Sequence, residues 1–160
     1  MSRLESFIRR MSAQRDILDD LAARLDGLSG PIFEFGFGNG RTYDHLRERC
    51  PCRRIIVFES VLVPDLPLLP PPDNLVLGDL RETASRFADG AAALIHADIE
   101  TGLAEVDAGL AVWLPALVAR LLTPGGFAAS GAPLADPRLA PIPLPPGIAP
   151  GRYHAVRRLG

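Results

Sequence analysis

Apolar residues recur at Leu4, Phe7, Ile8, Met11, Leu18, Leu21, Ala22 and Leu25, the spacing of one helix face, with a polar break around Gln14 and Arg15. This predicts an amphipathic N-terminal helix, in one piece or two, ended by Gly27 and Gly30. From Pro31 the period changes. Ile32 to Phe35 is a short, nearly continuous apolar run, as expected of a strand buried on both faces, and it breaks into Gly36-Phe-Gly-Asn-Gly40. Helical sequence from Thr42 to Arg49 follows the turn, and a second apolar strand, Arg54 to Glu59, ends in an acid.

Residues 60–73 should hold the next crossover helix, but Pro64, Pro67, Pro70, Pro71 and Pro72 exclude one. The apolar side chains of this stretch, among them Val61, Leu62, Leu66 and Leu68, must bury either on the sheet or against a partner. A third strand, Leu75 to Leu77, runs into Gly78-Asp79 and a helix expected from Arg81 to Ala88. The fourth strand is Ala92 to Ala97, followed by Asp98 and Glu100. Helical sequence then continues through Leu122, with Pro115 marking a joint or the start of a second helix. Thr123-Pro-Gly-Gly126 reads as a turn before a fifth strand. Proline crowds residues 131–151, where Leu139 to Leu144 can supply a sixth strand, and Arg152 to Arg158 alternates as a terminal one.

Alternating strands and helices indicate an α/β doubly wound, mostly parallel sheet with an antiparallel C-terminal edge. Residues 1–30 form a helical extension to a domain at 31–160. In such sheets ligands bind beyond the carboxyl ends of the strands, where the order of strands reverses. Gly36, Gly38 and Gly40 lack Cβ atoms along one edge of the first turn, so a ligand can approach its backbone. Glu59 follows Gly40 by 19 residues, which sets a carboxylate at the tip of the second strand beside that turn, where it can accept both hydroxyls of a ribose.

The pattern E-x-G-x-G-x-G over Glu34 to Gly40, then Glu59, Gly78-Asp79 and Pro124-Gly-Gly126, resembles class I S-adenosylmethionine-dependent methyltransferases, here as a small single-domain bacterial-type member. The resemblance implies methyl transfer with S-adenosyl-L-methionine as cofactor. It implies that Glu34, Gly36, Phe37, Gly38, Asn39, Gly40 and Thr42 hold the methionine part. Glu59 would take the ribose, and Asp79 with the Leu80 N–H the adenine. The exit of strand four would line the methyl end, with His96 and Asp98 on one face as the catalytic candidates. An NAD(P)-dependent oxidoreductase is the rival enzyme, disfavoured because Arg41 stands where the dinucleotide pattern needs its third glycine. A non-catalytic cofactor-binding scaffold is the other alternative.

Composition narrows the partners. All 17 basic residues are arginine, which excludes lysine Schiff-base chemistry, and the net charge of -2 provides no field to attract nucleic acid or an anionic membrane. Leu110 to Leu122 contains Pro115 and Arg120 and is too short to span a bilayer, so a soluble cytoplasmic protein is expected. Cys50 and Cys52 flank Pro51, poor geometry for a bridge and half of any zinc site, and no metal is expected. The absence of a basic stripe favours a small-molecule acceptor. Exposed apolar side chains on the N-terminal helix or the 60–73 segment would suit a homodimer, unless the helix packs on its own sheet.

Overall fold

The N-terminal periodicity forms a single helix, α1 (Arg3–Ala22), whose N-cap Ser2 accepts from the Glu5 N–H at 3.1 Å. Its inward stripe is Ala13, Gln14, Ile17, Leu18 and Leu21. The polar break therefore does not divide the helix: Gln14 lies on the buried stripe and is 1% exposed. The computed structural model describes residues 2–63 and 66–160; Pro64 and Asp65, part of the segment expected to be non-helical, lie outside the described residues.

The strands are β1 (Ile32–Phe35), β2 (Ile55–Glu59), β3 (Leu75–Leu77), β4 (Ala92–Ala97), β5 (Leu122–Ser130), β6 (Leu139–Pro141) and β7 (His154–Arg158). They form one sheet in the order β3-β2-β1-β4-β5-β7-β6, parallel except that β7 runs against both of its neighbours. This is the expected mostly parallel α/β sheet with an antiparallel edge. The order reverses between β1 and β4, which opens a crevice at their carboxyl ends.

Two cores flank the sheet. On one face Phe33, Phe35 and Phe58 pack edge to face, with ring centroids 5.1 to 5.2 Å apart for the pairs that include Phe58. Leu114, Val118 and Leu121 of α4 (Ala104–Leu121) cover them. On the other face Ile17, Leu18 and Leu21 of α1 and Tyr43 and Leu46 of α2 (Arg41–Arg49) cover Ile32, Val57 and Leu94. The proline-rich connection divides its apolar residues. Leu62, Leu66 and Leu68 pack on the α1 face, whereas Val61, Val63 and Leu69 are exposed.

Three local expectations are corrected. Pro115 is buried inside a continuous α4 rather than at a joint, because Leu114, Val118 and Ala119 hold both sides of it in the core against the lost N–H bond. The helix after Gly78 is shorter than expected, α3 (Leu80–Ala84), with Asp79 as N-cap. Arg120 ends it by donating to the carbonyls of Ala84 and Phe87 at 2.9 and 2.8 Å, taking up acceptors that a further turn would use. Thr123 to Gly126 lies within β5 as a bulge. Ala92 pairs with Leu122 and Leu94 with Phe127, so the strand absorbs extra residues between them, with Gly125 at φ 81°.

Candidate functional site

Where β1 and β4 part, the glycine turn carries three positive φ angles, 85° at Gly36, 52° at Gly38 and 78° at Gly40. Their reasons differ. A Cβ on Gly36 would meet the Asp98 carbonyl oxygen at 2.8 Å, and one on Gly40 would meet the Phe37 ring at 2.8 Å, so these two glycines serve packing. Gly38 alone faces open space, with nothing within 4 Å. Glu59 secures the loop from β2: one carboxylate oxygen accepts the N–H of Phe37 at 2.8 Å and of Gly38 at 3.1 Å, and the other accepts the Ser60 N–H at 2.7 Å and hydroxyl at 3.2 Å. Burial alone would raise the Glu59 pKa, but these donors outweigh it and hold the carboxyl below its usual range.

Glu34 and His96 are register partners on β1 and β4 and face the α1 side. Both are fully buried. The Thr42 hydroxyl donates to one Glu34 oxygen and His96 Nδ1 lies 2.9 Å from the other, so each oxygen already has a partner within the fold. His96 Nε2 is 2.6 Å from the Tyr153 hydroxyl, which is also 3.4 Å from Gln14 Nε2. Ala129 and Ala155 follow in the same row of the sheet, and such small side chains suit the placing of Tyr153 over them. Burial would depress the imidazole pKa, but the charge of Glu34, its hydrogen bond and the charge of Asp98 together raise it above the ordinary value. Burial pushes the Tyr153 phenol well up, with Asp98 and Glu34 adding to the shift.

Three clefts share walls along the exit of β4. One of about 190 Å³ is lined by Arg10, Met11 and Gln14 of α1, by Asn39, Arg41 and Thr42, by the Gly36–Gly38 backbone and by Asp98. A second, about 320 Å³, lies between Gly36, Gly38, Glu59, Ser60, Gly78 and Leu80, with Phe58, Ile99 and Trp113 as apolar walls and Asp98 and Glu100 at one end. The third, about 770 Å³, is lined by Arg10, Glu100, Thr101, Gly102, Asp107, Gly131 and residues 149–153. Asp98 thus borders the first two clefts, and Glu100 the second and third. The Glu100 carboxylate packs so tightly on Gly131 that a Cβ there would overlap it. Burial, with Asp98 and Asp107 nearby, raises the Glu100 pKa against the opposing pull of Arg10.

Sequence reading brought together most of this constellation. Gly36, Gly38, Glu59, Leu80 and Asp98 meet in the clefts, and Phe37, Asn39 and Thr42 line the smaller one, whereas Gly40 lines neither. Asp79 serves as the α3 cap, one of its oxygens accepting the N–H groups of Arg81 and Glu82 at 2.9 and 3.2 Å. His96 lies in the interior and reaches the largest cleft through Tyr153. Gln14, Trp113, Glu100 and Tyr153 were missed. Only Gln14 carried a signal, as a polar residue interrupting an apolar stripe.

A family model described as S-adenosyl-L-methionine methyltransferase matches residues 1–158. The chain belongs to this family. The crystal structure of the S-adenosyl-L-methionine methyl transferase from Silicibacter pomeroyi DSS-3 is 41% identical, with a TM-score of 0.89 and 99% of each chain covered. More distant structures share the fold alone. A probable spermidine synthase from Corynebacterium glutamicum has 19% identity and a TM-score of 0.60 over 95% of this chain and 62% of its own. The Burkholderia thailandensis 1,6-didemethyltoxoflavin-N1-methyltransferase, with 1,6-didemethyltoxoflavin and S-adenosylhomocysteine bound, has 14% identity and a TM-score of 0.54 over 92% and 79%. Among curated proteins none matches the chain. The methyltransferase has clefts that fit its cofactor. Gly38 leaves room for close backbone approach, Trp113 and Ile99 form apolar walls, and Gln14 Oε1 is a buried acceptor without a hydrogen-bond partner among the described residues.

The raised His96 pKa sets a sign for the pH dependence of stability. A proton bound more tightly in the folded state stabilises fully below the unfolded pKa of about 6.5, and that contribution is lost as pH rises through the folded value. The melting temperature should fall more steeply between pH 6 and pH 9 in the wild type than in His96→Gln. Equal slopes in thermal melts would show that the imidazole does not hold its proton in the fold.

Proposed function

We propose that this methyltransferase moves the methyl group of S-adenosylmethionine to a small molecule held in the 770 Å³ cleft. The observation that carries this reading is the shared wall: Asp98 and Glu100, two residues apart, border the cofactor clefts and the large cleft in turn. The methionine part occupies the cleft lined by Gly36, Phe37, Gly38, Asn39 and Thr42, with Gly40 shaping the turn behind Phe37 and Glu34 supporting the wall from within through Thr42. The ribose goes to Glu59, where the Ser60 hydroxyl, the one side-chain donor and the longest contact at 3.2 Å, is the donor most readily exchanged for a sugar hydroxyl. Leu80, which lines that cleft, lies beside the adenine, and Asp79, the adjoining α3 cap, would reach the adenine with the oxygen that accepts no cap hydrogen bond. Two of the largest cleft's lining residues are arginines and two are acids, a balance suited to a polar small molecule rather than to a phosphate backbone.

The cofactor supplies a methyl group already activated on a sulfonium. The protein must align the acceptor, exclude water and take a proton if the acceptor carries one. Asp98 does this at the seam as the catalytic candidate. His96 is a positioning residue that fixes the Tyr153 hydroxyl at the edge of the acceptor cleft. No helix among the described residues is long and apolar enough to cross a membrane. A cytoplasmic setting belongs to the same proposal. Leu4 and Ile8 on α1, with Val61 and Val63, leave apolar surface that a homodimer would cover.

Glu59→Ala should weaken S-adenosylmethionine binding by about one to two decades, because a charged acceptor is worth about 1.5 to 3 kcal/mol. Unchanged affinity by calorimetry would remove Glu59 from the site. With an acceptor identified from a panel of small amines, hydroxyls and thiols by release of S-adenosylhomocysteine, Asp98→Asn should lower kcat by about 10²-fold with cofactor affinity retained. Wild-type turnover in that variant would leave alignment by the pocket as the mechanism. Light scattering should give a dimer mass, and a monomer mass at high protein concentration would rule the dimer out.

A further inference from the structure

The amide of Gln14 is divided between two environments. Its nitrogen lies 3.4 Å from the Tyr153 hydroxyl, while its oxygen is buried without a hydrogen-bond partner among the described residues. An orphaned buried acceptor is a net cost to the fold, so this oxygen calls for a donor from a ligand or a bound water. Gln14 also lines the 190 Å³ cleft beside the glycine turn. That cleft must accept an ammonium and a carboxylate if the methionine end of the cofactor enters it. Arg10 and Arg41 stand in its wall as partners for the carboxylate. The ammonium is harder to place: Asp98 in the same wall lies 3.7 Å from Arg10 Nη1, and Glu34, the acid nearest the turn in sequence, is fully buried with one oxygen taken by Thr42 and the other by His96.

We propose that Gln14 Oε1, delivered by α1, accepts a hydrogen bond from the ammonium of S-adenosylmethionine. The assignment rests on the placement of the methionine end in this cleft. It makes α1 part of the cofactor site and gives its one buried polar position a task that packing does not supply. It also joins two binding events. The same amide touches Tyr153, and Tyr153 lines the acceptor cleft, so the cofactor's amino group and the acceptor's surroundings sit at opposite ends of one side chain.

The test crosses two ligands with the variants Gln14→Met and Gln14→Asn, the second keeping an amide that is one methylene too short. Affinities for S-adenosylhomocysteine and for 5′-deoxy-5′-methylthioadenosine, which lacks the amino-acid portion, are measured by calorimetry on proteins shown to be folded by thermal melts. The expected result is a loss of tenfold or more for S-adenosylhomocysteine with methylthioadenosine affinity unchanged, in whichever variant folds. Equal losses for both ligands would mean a structural role, and no loss for either would mean no contact; each overturns the proposal. Failure of the wild type to bind S-adenosylhomocysteine would instead remove the cofactor placement, and this assignment with it.

Discussion

The fold depends on a carboxylate and an imidazole buried side by side at the centre of the sheet. Glu34 and His96 sit opposite one another on β1 and β4, the two strands between which the strand order reverses, with no exposure to water. Charges so placed persist only if nearly every lone pair and proton is matched, and removing one member of such a pair costs about 3 to 5 kcal/mol. The matching comes from across the chain: Thr42 from the start of α2, Tyr153 from the approach to β7 and, behind it, Gln14 from α1. These remote segments must be in place for the centre to be satisfied. Removing either partner should therefore cost more stability than the intact pair contributes.

The glycine turn is the outward side of the same arrangement. It leaves β1 two residues after Glu34 and is clasped by Glu59 through two backbone N–H groups, so its shape is fixed before any ligand arrives. A preformed loop does not have to be ordered when the cofactor binds. The exit of β4 is the other fixed wall. Asp98, beside the Gly36 backbone, and Glu100, against Gly131, are held by contacts that a single added methyl group would disrupt.

Much of this was legible in the sequence because it is written in local signals. Short apolar runs marked β1, β2 and β4, alternate glycines marked the turn, and the position of Glu59 followed from the geometry of a βαβ unit. What was not legible depends on contacts remote in sequence. Nothing near Pro115 shows that the core would carry it within a helix, and nothing near α3 shows that Arg120 would end it. The spacing of the glycines gave one reason for three residues, whereas Gly36 and Gly40 answer to neighbours within the fold and only Gly38 is open. His96 was expected at the mouth of the cleft from its place on the strand. Its burial reflects Tyr153, a partner 57 residues away.

The sheet ends in β3 on one side and β6 on the other, each only three residues long. Pro141 closes β6 with a residue that has no N–H to offer, and β3 emerges from a 3-10 turn at Pro72–Asn74 that follows the proline-rich connection. Neither border presents the long row of unpaired donors and acceptors on which another chain's backbone could template. Substituting a well-formed helix and strand for these prolines would lengthen the borders and expose the molecule to edge-to-edge aggregation. The irregular segments that depart most from the regular pattern thus also keep a mostly apolar sheet from growing into its neighbours.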